Sequence, residues 1–192
     1  MKVDWPDMPV RFTVDDYVRM SVGDVFVDRR VELINGRIRR CHRQSHAHMW
    51  AVSKSAAAFF SRFDRAQFYV VIRGTLYLGK FDAPDPDFHV FDVPEGTPTE
   101  ACPIPFIVLE IADRSYERDR GIKLRRYAAS GVQDYWILNL SNRMIEVYRE
   151  PERVIGMKPR WRYRSITRHG IGQTIASLKY PEHVLRVADL IP

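Results

Sequence analysis

The sequence contains little cysteine and no long apolar run. Two cysteines, Cys41 and Cys102, cannot form the disulfide framework of a small secreted domain, so we expect a reducing, cytoplasmic location. No stretch is apolar for long enough to cross a bilayer, and residues 1–7 lack the apolar segment of a signal peptide, so we expect no membrane partner. The absence of internal repeats and low-complexity segments excludes repeat architectures.

The composition is that of a globular protein with a net positive charge. Its 192 residues, 45% of them hydrophobic, suffice for one core. We therefore expect a single domain over residues 1–192, with residues 1–10 as an N-terminal extension. The formal net charge of +6 favours an anionic partner such as nucleic acid. The charge alone does not decide the partner, because many basic proteins never bind DNA.

Hydrophobic periodicity predicts an α/β fold in which helices pack on a mixed β-sheet. Thr13 is a candidate N-cap for a helix over residues 14–20, and Asn35-Gly36 is the pair favoured in a tight hairpin turn. A long helix is expected over residues 45–63, where one apolar stripe recurs at helical spacing: Met49, Val52, Ala56, Phe59, Phe60 and Phe63. The remaining predicted elements are strands over residues 68–78, 87–92, 106–111, 133–140, 143–150 and 161–167, and a helix over residues 119–130.

Two carboxylates fall on successive predicted strands. Glu110 is the one charged residue of the run 106–111, whose apolar pattern is typical of a central strand buried on both faces. Asp87 opens the preceding strand, and the gap of 23 positions (110 − 87) fits a strand, a loop and an adjacent strand. Buried carboxylates need a partner. Adjacent strands would let both side chains hold one cation, with the carbonyl of Ile111 as a third ligand, and hard oxygen ligands favour Mg²⁺ or Mn²⁺ over zinc.

Lys123 and Glu32 are the further candidates for this site. Lys123 could point back from its helix to orient or activate a water and to stabilise charge on a phosphate. Its structural interpretation is an i,i+4 pair with Asp119 on the helix surface. Glu32 is either another carboxylate of the site or an exposed strand residue. The acids have structural interpretations as well, with Asp87 as a turn residue and Glu110 as half of a buried ion pair, and spacing alone favours those interpretations.

Two basic segments are candidates for phosphate contacts. One follows the hairpin turn and contains Arg37, Arg39, Arg40, His42 and Arg43. The other alternates with aromatic residues and contains Lys158, Arg160, Arg162 and Arg164. Either could grip a nucleic-acid backbone, or form a solvated sheet face that prevents edge pairing. The two interpretations are level for the first segment, and the solvated face is favoured for the second, which lies far along the chain from the acids.

An ordered set of motifs over residues 11–191 resembles the Uma family of restriction-endonuclease-like proteins, which belongs to the PD-(D/E)XK nuclease superfamily. The matching residues are Phe12-Thr13-Val14-Asp15-Asp16-Tyr17, Glu32-Leu33-Ile34-Asn35-Gly36, His48, Pro86-Asp87, Val108-Leu109-Glu110-Ile111-Ala112-Asp113, Asp119-Arg120-Gly121, Lys123, Tyr127, Gly131-Val132 and Tyr135-Trp136. His48 could contact a phosphate, although a structural role in its helix is favoured.

The resemblance implies a restriction-endonuclease-like fold and metal-dependent cleavage of DNA. It assigns Asp87 and Glu110 as metal-binding acids and Glu32 as a supporting acid. The superfamily lysine stands two residues after the second acid, where this chain has Ala112, and Lys123 on the following helix matches the family's replacement. The expected cofactor is Mg²⁺ or Mn²⁺, the expected partner is DNA, and a homodimer would suit the cutting of both strands. A catalytically silent DNA-binding or protein-interaction module, and a nuclease for RNA or branched DNA, are the alternatives.

Overall fold

The computed structural model describes residues 9–41, 43–98, 103–156 and 160–192. Among these residues, strands β3 to β8 form one mixed sheet in sequence order, in which β5 and β6 are parallel and the other neighbours are antiparallel. The strands are β3 Tyr69–Ile72, β4 Phe88–Phe91, β5 Ile107–Ala112, β6 Asp134–Asn139, β7 Met144–Val154 and β8 Arg160–Gly170. The predicted α/β fold with a central mixed sheet is confirmed.

Two small hairpins and the helices surround this sheet. Strands β1 Val31–Ile34 and β2 Arg37–Arg40 form the first hairpin, and β9 Thr174–Ala176 and β10 Val184–Arg186 form the second. The helical elements are α1 Val14–Val22, α2 His46–Phe60, α3 Tyr116–Arg118, a π-helical turn Asp119–Lys123, α4 Leu124–Ala129 and a 3₁₀ turn Val187–Asp189. No helix among the described residues combines the length and apolarity needed to span a bilayer.

The parallel pair β5–β6 determines where the helices lie, because two parallel strands need a crossover connection. The chain from α3 to α4 supplies it and packs on one sheet face, where Val108, Tyr127 and Ile137 share a core cluster. Helix α2 packs on the other face, where Phe59 stacks on Phe88 beside Leu109. The central strands of the sheet are therefore buried on both faces, which explains why every residue of β5 and β6 is buried.

Local signals in the sequence act as predicted at the first helix and hairpin. Thr13 and Asp16 form a reciprocal capping box at the start of α1. Asn35 and Gly36 both have positive φ, as a two-residue hairpin turn requires. The hairpin is held to the chain before β4 by two hydrogen bonds between Leu33 and Ala83, with N–O distances of 2.8 and 3.1 Å. This attachment brings β1 to the edge of the site.

The predicted apolar stripe of the long helix is wrong in part. Met49 and Phe60 are 49% and 44% exposed, and α2 ends at Phe60. The fully buried face instead contains His48, Ala51, Ser55 and Phe59. Polar residues that occupy core positions rotate the buried face away from the one that hydrophobicity predicts.

Strand β3 is shorter than predicted because the backbone turns at Arg73, which has a φ of +54°. Beyond Arg73 the chain no longer follows β4, although Leu76 and Leu78 still donate backbone hydrogen bonds to Pro84 and Asp82. Hydrophobicity continues through this segment and so does not show where the strand ends, although Gly74, directly after the turn, is a residue type that often interrupts a strand. The predicted helix 119–130 begins earlier, at Tyr116, and contains the π-helical turn.

Candidate active site

Sheet register places the two predicted acids opposite each other. Phe88 on β4 pairs with Leu109 on β5 in antiparallel register, so the next position, Asp87, lies across from Glu110. Directly opposed residues of antiparallel strands project to the same sheet face. For Glu110 this is the face covered by α4. Both residues are buried, with 6% and 4% exposure, and both line one cleft.

Asp87, directly before the start of β4, is held by two groups. Its Oδ2 accepts a hydrogen bond from the backbone N–H of Ile111 at 2.9 Å, and the Nε2 of His48 lies 3.1 Å from the same oxygen. His48 is buried on α2, whose N-cap Ser45 accepts a hydrogen bond from the His48 N–H. The side chain of His48 therefore bridges the long helix to the acid, a contact that its position in the sequence did not reveal.

Lys123 extends from the crossover helix to the second acid. Its ammonium nitrogen Nζ lies 2.8 Å from Oε1 of Glu110 and 3.0 Å from Oε2 of Glu32, and the residue is only 5% exposed. The surface pair with Asp119 that spacing favoured is the longest of its contacts, at 3.9 Å. The ammonium therefore lies between two carboxylates from strands that are far apart in the sequence.

Glu32 is a buried member of the same cluster. It is 1% exposed on β1, which excludes its interpretation as an exposed strand residue. Its Oε1 accepts a hydrogen bond from Nη1 of Arg118 at 3.2 Å, and its Oε2 faces Lys123. The hairpin thus supplies a carboxylate, although it pairs with no strand of the large sheet.

Sequence reasoning did not assign Asp119 and Tyr127 to this site. Tyr127 was expected as a core residue and is fully buried, but its hydroxyl also donates a hydrogen bond to Oε1 of Glu110 at 2.7 Å. Asp119 is 1% exposed and lines the cleft. Asp119, Lys123 and Tyr127 recur every four residues, a spacing that places side chains on one helical face and could have indicated their common role. The π-helical turn that contains two of them is a feature common at functional sites.

Burial and crowding shift the pKa values of these groups. Burial by itself lowers the pKa of Lys123, but the carboxylates of Glu110, Glu32 and Asp119 raise that pKa well above its ordinary value, so the ammonium stays charged. Burial raises the pKa of Glu110 well above its usual range, with Lys123 opposing and the other carboxylates adding to the effect. Burial likewise raises the pKa of Asp119 to about 6. Around Lys123 the carboxylates outnumber the positively charged side chains, and a bound cation would reduce this excess of negative charge.

The cleft that contains these residues has a volume of about 70 Å³. Its rim is rich in arginine, and Arg43 and Arg114 are exposed there without an ion pair to any other described residue. By contrast, Arg162 and Arg164 of the second basic segment pair with Glu152 and Glu150 on β7. The residues lining the cleft are Arg30, Glu32, Cys41, Arg43, Gln44, Ser45, His48, Asp85, Asp87, Glu110, Asp113, Arg114, Ser115, Arg118, Asp119 and Lys123.

The oxygen ligands at the cleft suit an ion that binds like Mg²⁺, through few protein ligands, and do not form a complete cage of protein ligands. Within residues 9–41, 43–98, 103–156 and 160–192, no three His, Cys, Asp or Glu side chains are grouped to hold a metal. The described hydrogen bonds to Asp87 and Glu110 use Oδ2 and Oε1, which leaves one oxygen of each acid for a ligand bond. Mg²⁺ keeps several waters and binds through one or two carboxylates together with substrate phosphates, which matches this donor set.

Comparisons with known proteins agree with the fold. The model of the family described as "Uma2: Putative restriction endonuclease" matches residues 14–170. The chain belongs to the Uma2 family. Among solved structures it is similar to a protein described as a "putative nuclease belonging to DUF820 from Anabaena variabilis ATCC 29413", with a TM-score of 0.69 and 14% identity over 95% of this chain and 97% of that one. No curated protein matches the sequence.

Membership of the Uma2 family supports a nuclease of restriction-endonuclease-like type, a family class that generally uses a divalent metal and whose substrate is nucleic acid. The structural likeness supports the fold. Three residues singled out in the sequence, His42, Cys102 and Lys158, lie outside the described residues, as do the N-terminal residues 1–8.

Proposed function

We propose that this Uma2 protein is a divalent-metal-dependent endonuclease that hydrolyses phosphodiester bonds in DNA. The observation that supports the proposal is the convergence of Asp87, Glu110, Lys123 and Glu32, from separate parts of the chain, at one arginine-rimmed cleft. The proposal includes a single domain over residues 1–192, a cytoplasmic location and a homodimer, whose two-fold symmetry suits the cutting of both strands.

Asp87 and Glu110 would hold Mg²⁺ or Mn²⁺ through their remaining carboxylate oxygens. The N–H of Ile111 points to Asp87, and the N–H and C=O of one strand residue face the same neighbouring strand, so the Ile111 carbonyl is a suitable third ligand. His48 and Tyr127 would fix the orientation of the two acids, as groups behind metal ligands commonly do. A divalent ion in this position supplies an activated water and charge neutralisation at the phosphate.

Lys123 acts in this proposal as a hydrogen-bond donor and a fixed positive charge. Its raised pKa keeps it protonated, so it cannot accept the proton of the attacking water. It can instead orient that water and stabilise the charge that develops on the phosphate. Glu32, which accepts from both Lys123 and Arg118, keeps the ammonium within the cleft.

Phosphate contacts at the rim would position the substrate. Arg43 and Arg114 are exposed, lie at the cleft and have no partner among the described residues, so their guanidinium groups are available to a nucleic-acid backbone. Such contacts carry no sequence information. They set register and make binding sensitive to salt.

Nicking of supercoiled plasmid tests this proposal. Wild-type protein, Asp87→Asn and Asp92→Asn are compared with Mg²⁺, with Mn²⁺ and with EDTA. Asn keeps the size of Asp87 but lacks its charge, and Asp92, which pairs with Lys179 just beyond the other end of β4, is a matched surface acid. We expect nicking by wild type and Asp92→Asn only with metal, and none by Asp87→Asn. Equal nicking by all three proteins would refute the assignment, and salt-sensitive, metal-independent DNA binding without cleavage would favour the silent binding module.

A further inference from the structure

One oxygen of the buried Asp119 carboxylate has no hydrogen-bond partner among the described residues. Oδ2 accepts a hydrogen bond from the hydroxyl of Ser115 at 2.5 Å. Oδ1 is buried and makes no hydrogen bond to any other described residue. An unpaired buried carboxylate oxygen costs stability and is rare in folded proteins. We therefore expect Oδ1 of Asp119 to gain a partner in another state of the cleft, which would offset the cost of its burial.

The cation beside this oxygen is the ammonium of Lys123. Nζ lies 3.9 Å from Oδ1 of Asp119, beyond hydrogen-bond distance, while it contacts Glu110 at 2.8 Å and Glu32 at 3.0 Å. Asp119 and Lys123 stand at the two ends of the π-helical turn, and only 3.9 Å separates Nζ from Oδ1. A shift of the ammonium by about 1 Å would give an ordinary N–O distance near 2.9 Å.

We propose that Asp119 is a positioning residue that receives the Lys123 ammonium when Glu110 binds a divalent cation. This inference rests on the proposed function. An ammonium 2.8 Å from Glu110 and a divalent cation on the same carboxylate repel each other. Transfer to Asp119 removes the ammonium from the metal-binding acid, pairs the free oxygen, and keeps the positive charge at the cleft for the substrate phosphate.

A double-mutant cycle on Mn²⁺ affinity tests the transfer. Mn²⁺ binding is measured by calorimetry and by electron paramagnetic resonance, without DNA, in wild type, Asp119→Asn, Lys123→Met and the double variant. We expect Asp119→Asn to bind Mn²⁺ about tenfold more weakly, because the ammonium then loses the one buried carboxylate oxygen beside it that is free of hydrogen bonds to the described residues, and Lys123→Met to bind more tightly. In the Lys123→Met background the effect of Asp119→Asn should vanish. Lys123→Gln repeats the cycle if the methionine variant does not fold.

Three results would overturn the inference. An equal loss of Mn²⁺ affinity in both backgrounds would make Asp119 a direct ligand or a structural residue. An unchanged affinity of Asp119→Asn in the presence of Lys123 would mean that the ammonium does not need Asp119 in addition to Glu32. Absence of saturable Mn²⁺ binding by wild type, or Mn²⁺ binding that survives Asp87→Asn, would overturn the proposed metal site together with this inference. The first two results would overturn only the role of Asp119 and leave the metal site standing.

Discussion

Replacement of Lys123 by methionine probes the charge balance of the cleft most directly. Methionine preserves an unbranched apolar stem but removes the one ammonium that the described structure places among Glu110, Glu32 and Asp119, all of them at most 5% exposed. Removal of one partner of a buried ion pair leaves an uncompensated charge and costs about 3–5 kcal/mol. For a protein of this size each kcal/mol lowers Tm by roughly 2–4 °C, so we expect a decrease of about 6–20 °C at pH 8.

The loss should depend on pH in a defined direction. The folded-state pKa of Glu110 is raised above its ordinary value of 4.5, so the native protein binds a proton that the unfolded chain has released. Stability therefore falls as the pH rises from 4.5 towards the folded-state pKa of Glu110. Without Lys123 this pKa rises further, and the variant should lose much less stability at pH 5 than at pH 8. The Lys123 contribution in wild type is present below pH 10.5 and is lost only as pH rises above that value.

Thermal unfolding followed by circular dichroism at pH 5 and pH 8 measures both effects. Lys54→Met is the matched control, because the half-buried Lys54 makes only a solvent-exposed hydrogen bond, to the Ala188 carbonyl, whose loss should cost little. Addition of Mn²⁺ should restore part of the lost stability, about 2.7 kcal/mol at a hundredfold excess over Kd. A Tm at pH 8 equal to that of wild type, or a loss of the same size at both pH values, would refute the view that Lys123 neutralises these buried acids.

Two further substitutions test the groups around the acids. Tyr127→Phe removes the hydroxyl 2.7 Å from Glu110 and should reduce Mn²⁺ affinity or plasmid nicking by about 10–100-fold, whereas Tyr135→Phe, which loses a comparable buried bond to the Asp119 carbonyl, should leave Mn²⁺ affinity unchanged. Equal effects of the two would reduce Tyr127 to a packing residue. Arg43→Gln and Arg114→Gln should each lower the slope of log affinity for duplex DNA against log salt by about 0.9, measured by fluorescence anisotropy. Arg164→Gln, whose arginine already pairs with Glu150, is the control, and the same slope change for it would remove the special role of the rim.

Residues near one another in the sequence were predicted well. The capping box at Thr13 and Asp16, the Asn35-Gly36 turn and the apolar strand around Glu110 all depend on neighbours within a few positions. The stripe of α2 failed because His48 occupies a buried position through its contact with Asp87, which lies 39 residues away. Hydrophobicity could not predict that a polar side chain would be buried there.

The candidate site shows the same division. Spacing alone did not favour a functional role for Asp87, Glu110, Lys123 and Glu32, and only the resemblance to the Uma family assigned these four residues to one site. The antiparallel register of β4 and β5 places Asp87 opposite Glu110, and the bond between Leu33 and Ala83 carries Glu32 to the same cleft. Lys123, at the end of the π-helical turn, contacts both Glu110 and Glu32.

The sequence by itself determined the family, the fold class and the residue types available for chemistry, because motif order and hydrophobic periodicity are properties of the linear chain. Only the tertiary structure decided that Lys123 contacts Glu110, that Tyr127 and His48 contact the acids, and that one oxygen of Asp119 has no hydrogen bond to the described residues. Those facts depend on strand register, on the hairpin's attachment and on one helical turn. Each of them joins residues whose separation along the chain gives no information about their distance in space.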